Sequence, residues 1–520
     1  MPRRLVQLIV AASLVRMLVA AVLEFGNDEV YYFLYALDLQ PNYFDHPPGV
    51  AWLIRIFTFN LLLTDEFFVR LGSILCAAVG TTLVYRLGTA LKNEQTGWYA
   101  AILYTGNLYT SLLAGTFIIP DSPQVVFWLA SVLVMHSILT APPDQEIPRK
   151  NWLLFGLLTG LAILCKVHGI FLWGSLGLYI LLYNRGKLKE PGLYLAAAVT
   201  ALVISPILIW NIQNDFITYR FHSGRVGIEE TWIHPDYFIQ AVAGQLVYSN
   251  PVNAVLILIA AWKLKTMKFL SVDSLRFVLI NGLPLVIVVS VMSLTSTMLP
   301  HWSGPAMMIL SFLAAAYLDE KRTMSGIAHD PRVLRASAYT VGGLILLTLA
   351  IIQFYPGTFG SHRKNEFGEN DFTLDLNGWS SFSEEFRTWL TEEEKRGAIP
   401  AGLPFVSNKW FPGAHIEYYV ARPLGRPVVG IGWVRDVHQY AWLNLSRPPL
   451  KEGDAALCIV PSNYHMVLHE SYYRQFESIE LKKVFYQFRS GRMSRYFTVY
   501  LMKGYKADDE AHLPPFKPGE

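Results

Sequence analysis

Cysteine is scarce in this chain: 520 residues carry only Cys76, Cys165 and Cys458, and the first two fall in apolar stretches. That leaves no disulfide framework and no thiolate metal site. Charge is scarce as well, at 16% of residues, against about 25% in an ordinary soluble domain. No Lys/Arg run is long enough to track a phosphate backbone, and the net charge is only +3, which argues against nucleic acid as a partner. Internal repeats and low-complexity segments are absent, which weakens the case for a transporter built from inverted repeats. The basic, apolar start "MPRRLVQLIVAASLVRMLVAAVLEF" has no small-residue cleavage pattern after it, so it reads as a retained first helix. What is abundant is apolar: 52% of residues are hydrophobic and the mean hydropathy is +0.31. The chain reads as an integral membrane protein.

Apolar runs near 5–23, 67–91, 97–116, 122–140, 152–166, 168–183, 191–210, 236–262, 275–295, 303–318 and 335–354 predict about eleven transmembrane helices. An odd number places the termini on opposite sides. With the N-terminus cytoplasmic, the inner loops hold Arg3, Arg4, Lys92, Arg149, Lys150, Arg185, Lys187, Lys189, Lys263, Lys265, Lys268, Lys321 and Arg322. This is the expected excess of positive charge inside. The outer connections then contain every unusual motif: "NDEVYY", "YFDHPPG", "FIIPDSP", "CKVHG", "WNIQNDFITYRFHSGRVGIEETWIHPD" and "TSTMLPHWSGP". The motifs played no part in placing the spans, so their segregation supports the topology independently.

After Ile352 the composition turns polar. Short β-rich runs, "LPFVSN", "PVVGIGW", "AALCIVP" and "YFTVYLMKGY", alternate with helix-like stretches such as "SSFSEEFRTWLTEEEKRG", where Ser381 or Ser383 is the expected N-cap. The expected organisation is a membrane domain with catalytic outer loops over 1–354, an extracytoplasmic α/β domain over 355–508 and a disordered tail over 509–520.

Each polar motif has a structural and a chemical reading. Asp28 and Glu29, followed by Tyr31 and Tyr32, are an interfacial acidic pair beside an aromatic belt, or a general base tuned by burial and a nearby cation. Pro47 and Pro48 fix the backbone and leave Asp45 and His46 on a rigid turn. Arg70, near the outer end of the second span, is a snorkelling anchor or a ligand for a lipid-linked phosphate. Asp121 fits a helix N-cap as well as a substrate contact. Lys166, between two apolar runs, is costly unless it faces water or an anion. His301 and Trp302 occupy a short outer turn, where a histidine is ordinarily a hydrogen-bonding group.

Taken in order, "DE" with "YY", "YFDHPPG", "FFVRL", "GTFIIPDSP", "GLLTGLAILCKVHG", "SPILIWNIQND", "YRFHSGR" and "LPHW" resemble the C-type membrane glycosyltransferases, which use sugars linked to a lipid phosphate. The chain looks most like the branch with the dolichyl-phosphate-mannose protein mannosyltransferases and the bacterial lipid A aminoarabinose transferases. The resemblance spans residues 1 to about 320, and "LNGWSSF" and "HQYAWLN" extend it more softly into the outer domain.

It implies transfer of a sugar from a polyprenyl-phosphate donor to an acceptor glycolipid, glycan or protein on the outer face, by inverting displacement. Asp28 is then the first choice as base, with Glu29 beside it. Asp45, His46, Arg70, Lys166, Arg220 and Arg225 are donor-side candidates, the cations stabilising the leaving phosphate. Tyr31, Tyr32, Asp121, His222, His301 and Trp302 are candidate substrate contacts. Asp45 with His222 or His301 offers a divalent metal site or simply a hydrogen-bonded pair. The acidic-then-basic pair at Asp45 and His46 is not identical to the family's, so the sugar is not carried over. The expected location is a bacterial inner membrane, with the C-terminal domain periplasmic. The rival class is a transporter or flippase of lipid-linked sugars, but Arg16 is the only obvious charge in the middle of a span.

Overall fold

The computed structural model describes residues 1–506 apart from 142–146, 227–231, 327–328, 465, 467 and 469–471. The expected tail at 509–520 lies outside the described residues. In chain order the helices are α1 (Arg3–Val22), α2 (Asn27–Leu37), α3 (Gly49–Phe57), α4 (Glu66–Leu91), α5 (Glu94–Thr105), α6 (Asp121–Leu139), α7 (Arg149–Cys165), α8 (Phe171–Tyr183), α9 (Pro191–Gln213), α10 (Ile217–Val226), α11 (Pro235–Tyr248), α12 (Pro251–Lys263), α13 (Val272–Met292), α14 (Gly304–Met324), α15 (Arg332–Phe354) and α16 (Trp379–Lys395). Six of the described helices, α1, α4, α6, α9, α13 and α15, are long and apolar enough to cross a bilayer, and the α11–α12 pair makes up to seven. The remaining expected runs hold shorter or more polar helices. The two units into which the chain divides are residues 1–21, 45–212 and 216–345, and residues 22–44, 213–215 and 346–520.

In the first unit α14 is the centre. Every residue from Gly304 to Asp319 is buried, and the helix packs against α5, α12 and α13. Its C-terminal end is pinned by charge: Lys92, just after α4, lies 3.0 Å from Asp319 and 2.8 Å from Glu320.

Two expected spans are not straight. Residues 236–262 bend by 100° between α11 and α12. Asn250 adopts φ +68°, and Pro251 then supplies a first helical residue with no N–H to satisfy. The run 97–116 likewise breaks after Thr105, resuming as one wide π-turn over Tyr109–Leu113. Each break frees backbone groups that lipid cannot satisfy, and the Asn250 amide serves both. It donates to the carbonyls of Gly106 at 2.6 Å and Ser337 at 3.0 Å, while its oxygen accepts from Val252 N–H at 3.0 Å.

The second unit is built on a five-stranded sheet, β1 (Phe405–Ser407), β2 (Val428–Gly430), β3 (Ala456–Pro461), β4 (Phe476–Arg489) and β5 (Arg492–Tyr505), in the order β2-β1-β3-β5-β4. β1 pairs parallel with β2 and β3, and β5 pairs antiparallel with β3 and β4. The four expected strand runs are present, and β4 is an addition. Ser490 and Gly491, at φ +48° and +78°, form the tight turn that joins β4 to β5. α16 lays Phe382 flat on Phe497 of β5, with ring centroids 3.8 Å apart, a contact worth about 1 kcal/mol beyond its burial.

The N-cap of α16 is neither Ser381 nor Ser383 but Gly378, at φ +88° with no side-chain cap of its own. Ser381 instead bonds back to the Gly378 carbonyl, and Ser383 is buried and donates to the Tyr419 carbonyl. The free N–H groups of Trp379 and Ser380 are taken by the carboxylate of Glu24, at 2.8 and 2.9 Å. An anion there also complements the helix dipole.

Candidate active site

The acidic segment belongs to the second unit. Asp28 and Glu29 fall in the first turn of α2, where the helix N-terminus favours a carboxylate. Their environments differ sharply. Asp28 is exposed; Glu29 is buried, and its Oε2 accepts from the Gly26 N–H at 3.1 Å, half of a capping box.

The chain just before them is gripped on several sides. Tyr419 accepts from Phe25 N–H at 2.8 Å, and His415 Nε2–H donates to the Phe25 carbonyl at 2.9 Å. Asn27 donates to the Tyr464 hydroxyl at 3.1 Å, which in turn donates to Asp375 at 2.8 Å. Burial pushes the Asp375 carboxyl up to about 7, against the pull of Tyr464 and Arg495. Tyr31 and Tyr32 are buried, and the Tyr31 ring lies 4.8 Å from Trp410 and 5.7 Å from His438.

The first unit holds the basic and histidine groups. Gly49, at the start of α3, sits so close to Cys165 and Leu164 that a side chain there would collide, at 2.8 and 2.9 Å. This seats the Asp45–Pro48 turn against the end of α7, next to Lys166.

Lys166 is buried, and its ammonium lies 2.7 Å from Asp121 Oδ2. Asp121 Oδ1 accepts from the Tyr109 hydroxyl at 2.9 Å, and Gln124 holds the Lys166 carbonyl at 2.8 Å. Asp121 is therefore the first helical residue of α6 engaged in an ion pair, and not the N-cap, which is Pro120. Among the described residues, Asp121 takes one of the three N–H donors of Lys166.

Around this pair are the imidazoles. His222 Nε2 lies 2.7 Å from the Asp45 carbonyl, which can only accept, so that nitrogen carries the proton. The His46 ring is 5.9 Å from His222. Trp302 meets His168 at 5.5 Å, and His301 meets Tyr248 at 6.1 Å. Burial pushes His46 and His301 down to about 4, with Lys166 opposing protonation of each while Asp121 favours it. Both are neutral hydrogen-bonding groups near pH 7 and add no cation.

Arg70 is fully buried in α4 and does not snorkel. It donates to the Ala20 carbonyl at 3.1 Å, in the last turn of α1, and its guanidinium lies over Phe117 at 5.5 Å. Arg220 is exposed on α10. Arg225 ends in the same helix, and its side chain lies outside the described residues. Among the described residues no three His, Cys, Asp or Glu groups converge for a metal. The His222 ring is turned to the main chain of Asp45 and not to its carboxylate.

Sequence reasoning did not single out Tyr109, Gln124, Asp375, His415 or Tyr464, and it left the Glu24 carboxylate unexplained. His168 was visible inside "CKVHG".

A family model described as dolichyl-phosphate-mannose-protein mannosyltransferase matches residues 45–210, which include Asp45, His46, Arg70, Asp121 and Lys166. The lipid A galacturonosyltransferase RgtD of Rhizobium johnstonii is 24% identical over 336 residues, covering 64% of this chain and 67% of that protein. The solved structure of ArnT from Cupriavidus metallidurans bound to undecaprenyl phosphate superposes with a TM-score of 0.62, at 15% identity, over 95% of this chain and 97% of that one. The chain has the fold of the C-type membrane glycosyltransferases and is similar to them in sequence. It also matches the undecaprenyl phosphate-alpha-4-amino-4-deoxy-L-arabinose arabinosyl transferase of Yersinia enterocolitica, at 25% identity over 186 residues, 35% of this chain and 33% of the relative. It spans only a third of that relative, and it is a multi-pass membrane protein like the proteins it resembles.

Proposed function

We propose that the protein is a glycosyltransferase that moves a sugar from a polyprenyl-phosphate donor to a hydroxyl or amine of an acceptor glycolipid, glycan or protein at the outer surface of a bacterial inner membrane. Its relatives support the donor class: one transfers galacturonic acid to lipid A, and another takes aminoarabinose from undecaprenyl phosphate. A lipid A-like acceptor is the first to test. The Lys/Arg distribution supports a cytoplasmic N-terminus and a periplasmic C-terminal unit.

The observation that carries the assignment of roles is the contrast within the acidic pair. Glu29 is folded back onto its own helix start, whereas Asp28 is exposed in the first turn. Asp28 is the general base: it takes the proton of the acceptor as the acceptor oxygen or nitrogen bonds to the anomeric carbon. The bond from that carbon to phosphate oxygen breaks on the opposite face, and polyprenyl phosphate leaves with inversion. The Lys166 ammonium and the Arg70 guanidinium offset the negative charge on the leaving phosphate. His46, His222 and His301 serve as hydrogen-bonding groups to the donor, with Trp302 as an apolar wall.

The test is Asp28→Asn reconstituted with polyprenyl-phosphate sugar and lipid A. Loss of transfer by roughly 10²–10⁴-fold, with insertion intact, is expected for removal of a general base. Undiminished transfer removes Asp28 from the role, and robust movement of lipid-linked sugar across vesicles reconstituted with the protein, beyond that in protein-free vesicles, favours a flippase.

A further inference from the structure

The end of β4 carries an arginine that binds the last turn of α15. Arg489 is buried; its Nε donates to the Gly357 carbonyl at 3.0 Å, and its Nη1 to the Ile352 carbonyl at 3.2 Å and to Thr373 at 2.8 Å. Its Nη2 pairs with Asp371 at 3.2 Å. The backbone completes the junction: Gly357 N–H donates to the Arg489 carbonyl at 3.0 Å, and Ser490 donates to the Phe354 carbonyl at 2.8 Å. Asp371 also accepts from Thr358 at 2.7 Å and from Phe359 N–H at 2.9 Å. The hairpin tip, the loop after α15 and the final turn of that helix are thus one hydrogen-bonded body. Wherever α15 leaves the bilayer, the tip is held at that level.

Phenylalanines surround this junction on its outside. Phe354, Phe359, Phe372 and Phe488 are 72%, 50%, 72% and 66% exposed. Each adjoins a junction residue: Phe354 through Ser490, Phe359 through Asp371, Phe372 between Asp371 and Thr373, and Phe488 beside Arg489. Phenylalanine has no polar atom to reward exposure to water, and a cluster of this kind marks a surface that is covered. Basic side chains stand beside it. Arg363, Lys364 and Arg492 are exposed, and Tyr496 ties the Lys364 carbonyl to β5 at 2.6 Å. Aromatic groups with Lys and Arg around them are the composition of an interfacial membrane anchor.

We propose that this surface rests in the headgroup layer of the membrane from which α15 emerges, with the four phenylalanines in the acyl boundary and Arg363, Lys364 and Arg492 on lipid phosphates. The occupant is the bilayer and not another protein, because the patch is continuous with a helix long and apolar enough to span it and only sparsely buried by its own chain. The full-length protein, with Cys76→Ala, is spin-labelled at Phe488→Cys or Phe372→Cys in nanodiscs of phosphatidylethanolamine and phosphatidylglycerol. Collision with oxygen is expected to exceed collision with a water-soluble nickel chelate several-fold at both sites. Lys395→Cys, exposed at the end of α16, gives the reverse. A nickel-favoured result at 488 and 372 equal to that at 395 overturns the proposal. If labelling disturbs folding, the unaltered chain is irradiated with a photoactivatable phospholipid. Adducts on the peptides around 354–372 and 486–492 support the anchor; adducts confined to the spans overturn it.

Discussion

Replacing Lys166 by methionine strands a carboxylate in the first unit. The Lys166 and Asp121 side chains are only 5% and 3% exposed, and their charged atoms are 2.7 Å apart. At an effective dielectric constant near 20, that separation gives an attraction of about 6 kcal/mol, which roughly balances the several kcal/mol each ion loses on leaving water. The pair as a whole is therefore close to neutral for stability, while either half alone is not. In Lys166→Met, Asp121 keeps only the Tyr109 hydroxyl, and the expected cost is about 3–5 kcal/mol. The double variant Lys166→Met with Asp121→Asn retains an oxygen for Tyr109 and removes both charges, and it should recover most of the loss. The assay is thermal loss of monodisperse protein in nanodiscs at a fixed scan rate. Taking roughly 2 °C per kcal/mol for a large domain, the single variant should fall by at least about 6 °C. A single variant as stable as the parent, or a double variant no better than the single, would refute the mutual compensation. Sugar transfer should be lost in both, which separates the role of the pair in folding from its role at the donor phosphate.

Two further outcomes follow from the geometry. The Asp375 carboxyl, at about 7 in the folded chain against an ordinary 3.8, binds a proton that the unfolded chain releases, so its contribution to stability falls as pH rises from about 4 to about 7. Asp375→Asn should remove that slope and be more stable than the parent at pH 8, by up to about 4 kcal/mol; melting curves at pH 5 and pH 8 with an unchanged slope would contradict this. Asn250→Asp exchanges a donor for an acceptor opposite the carbonyls of Gly106 and Ser337, and should cost about 2–4 kcal/mol in the same thermal assay, whereas Asn250→Gln keeps the polarity and should cost less.

The sequence made the spans legible because lipid demands long apolar runs, and α1, α4, α6, α9, α13 and α15 lie where those runs lie. It hid the breaks. Asn250–Pro251 and Gly106–Asn107 sit inside otherwise apolar windows, and the Gly106 carbonyl is satisfied by Asn250, far away in the chain. β4 was obscured because its burial follows no simple alternation; its signal was the Ser490–Gly491 turn before β5. At the candidate site, Asp121 and Lys166 stood out as charges beside apolar runs, but nothing local told that they pair with each other. Glu24 had no explanation in its own neighbourhood, because the helix it caps begins at Trp379.

That last contact bears on how such an enzyme can be rearranged. Residues 22–44 cluster with the C-terminal unit, and Glu24, Phe25 and Asn27 are bonded to α16, His415, Tyr419 and Tyr464. The acidic pair is therefore not a portable cassette of the N-terminal half. A chimaera that exchanged only the C-terminal domain would separate the chain before Asp28 from α16, His415, Tyr419 and Tyr464, so the smallest unit that can be transplanted is discontinuous in sequence.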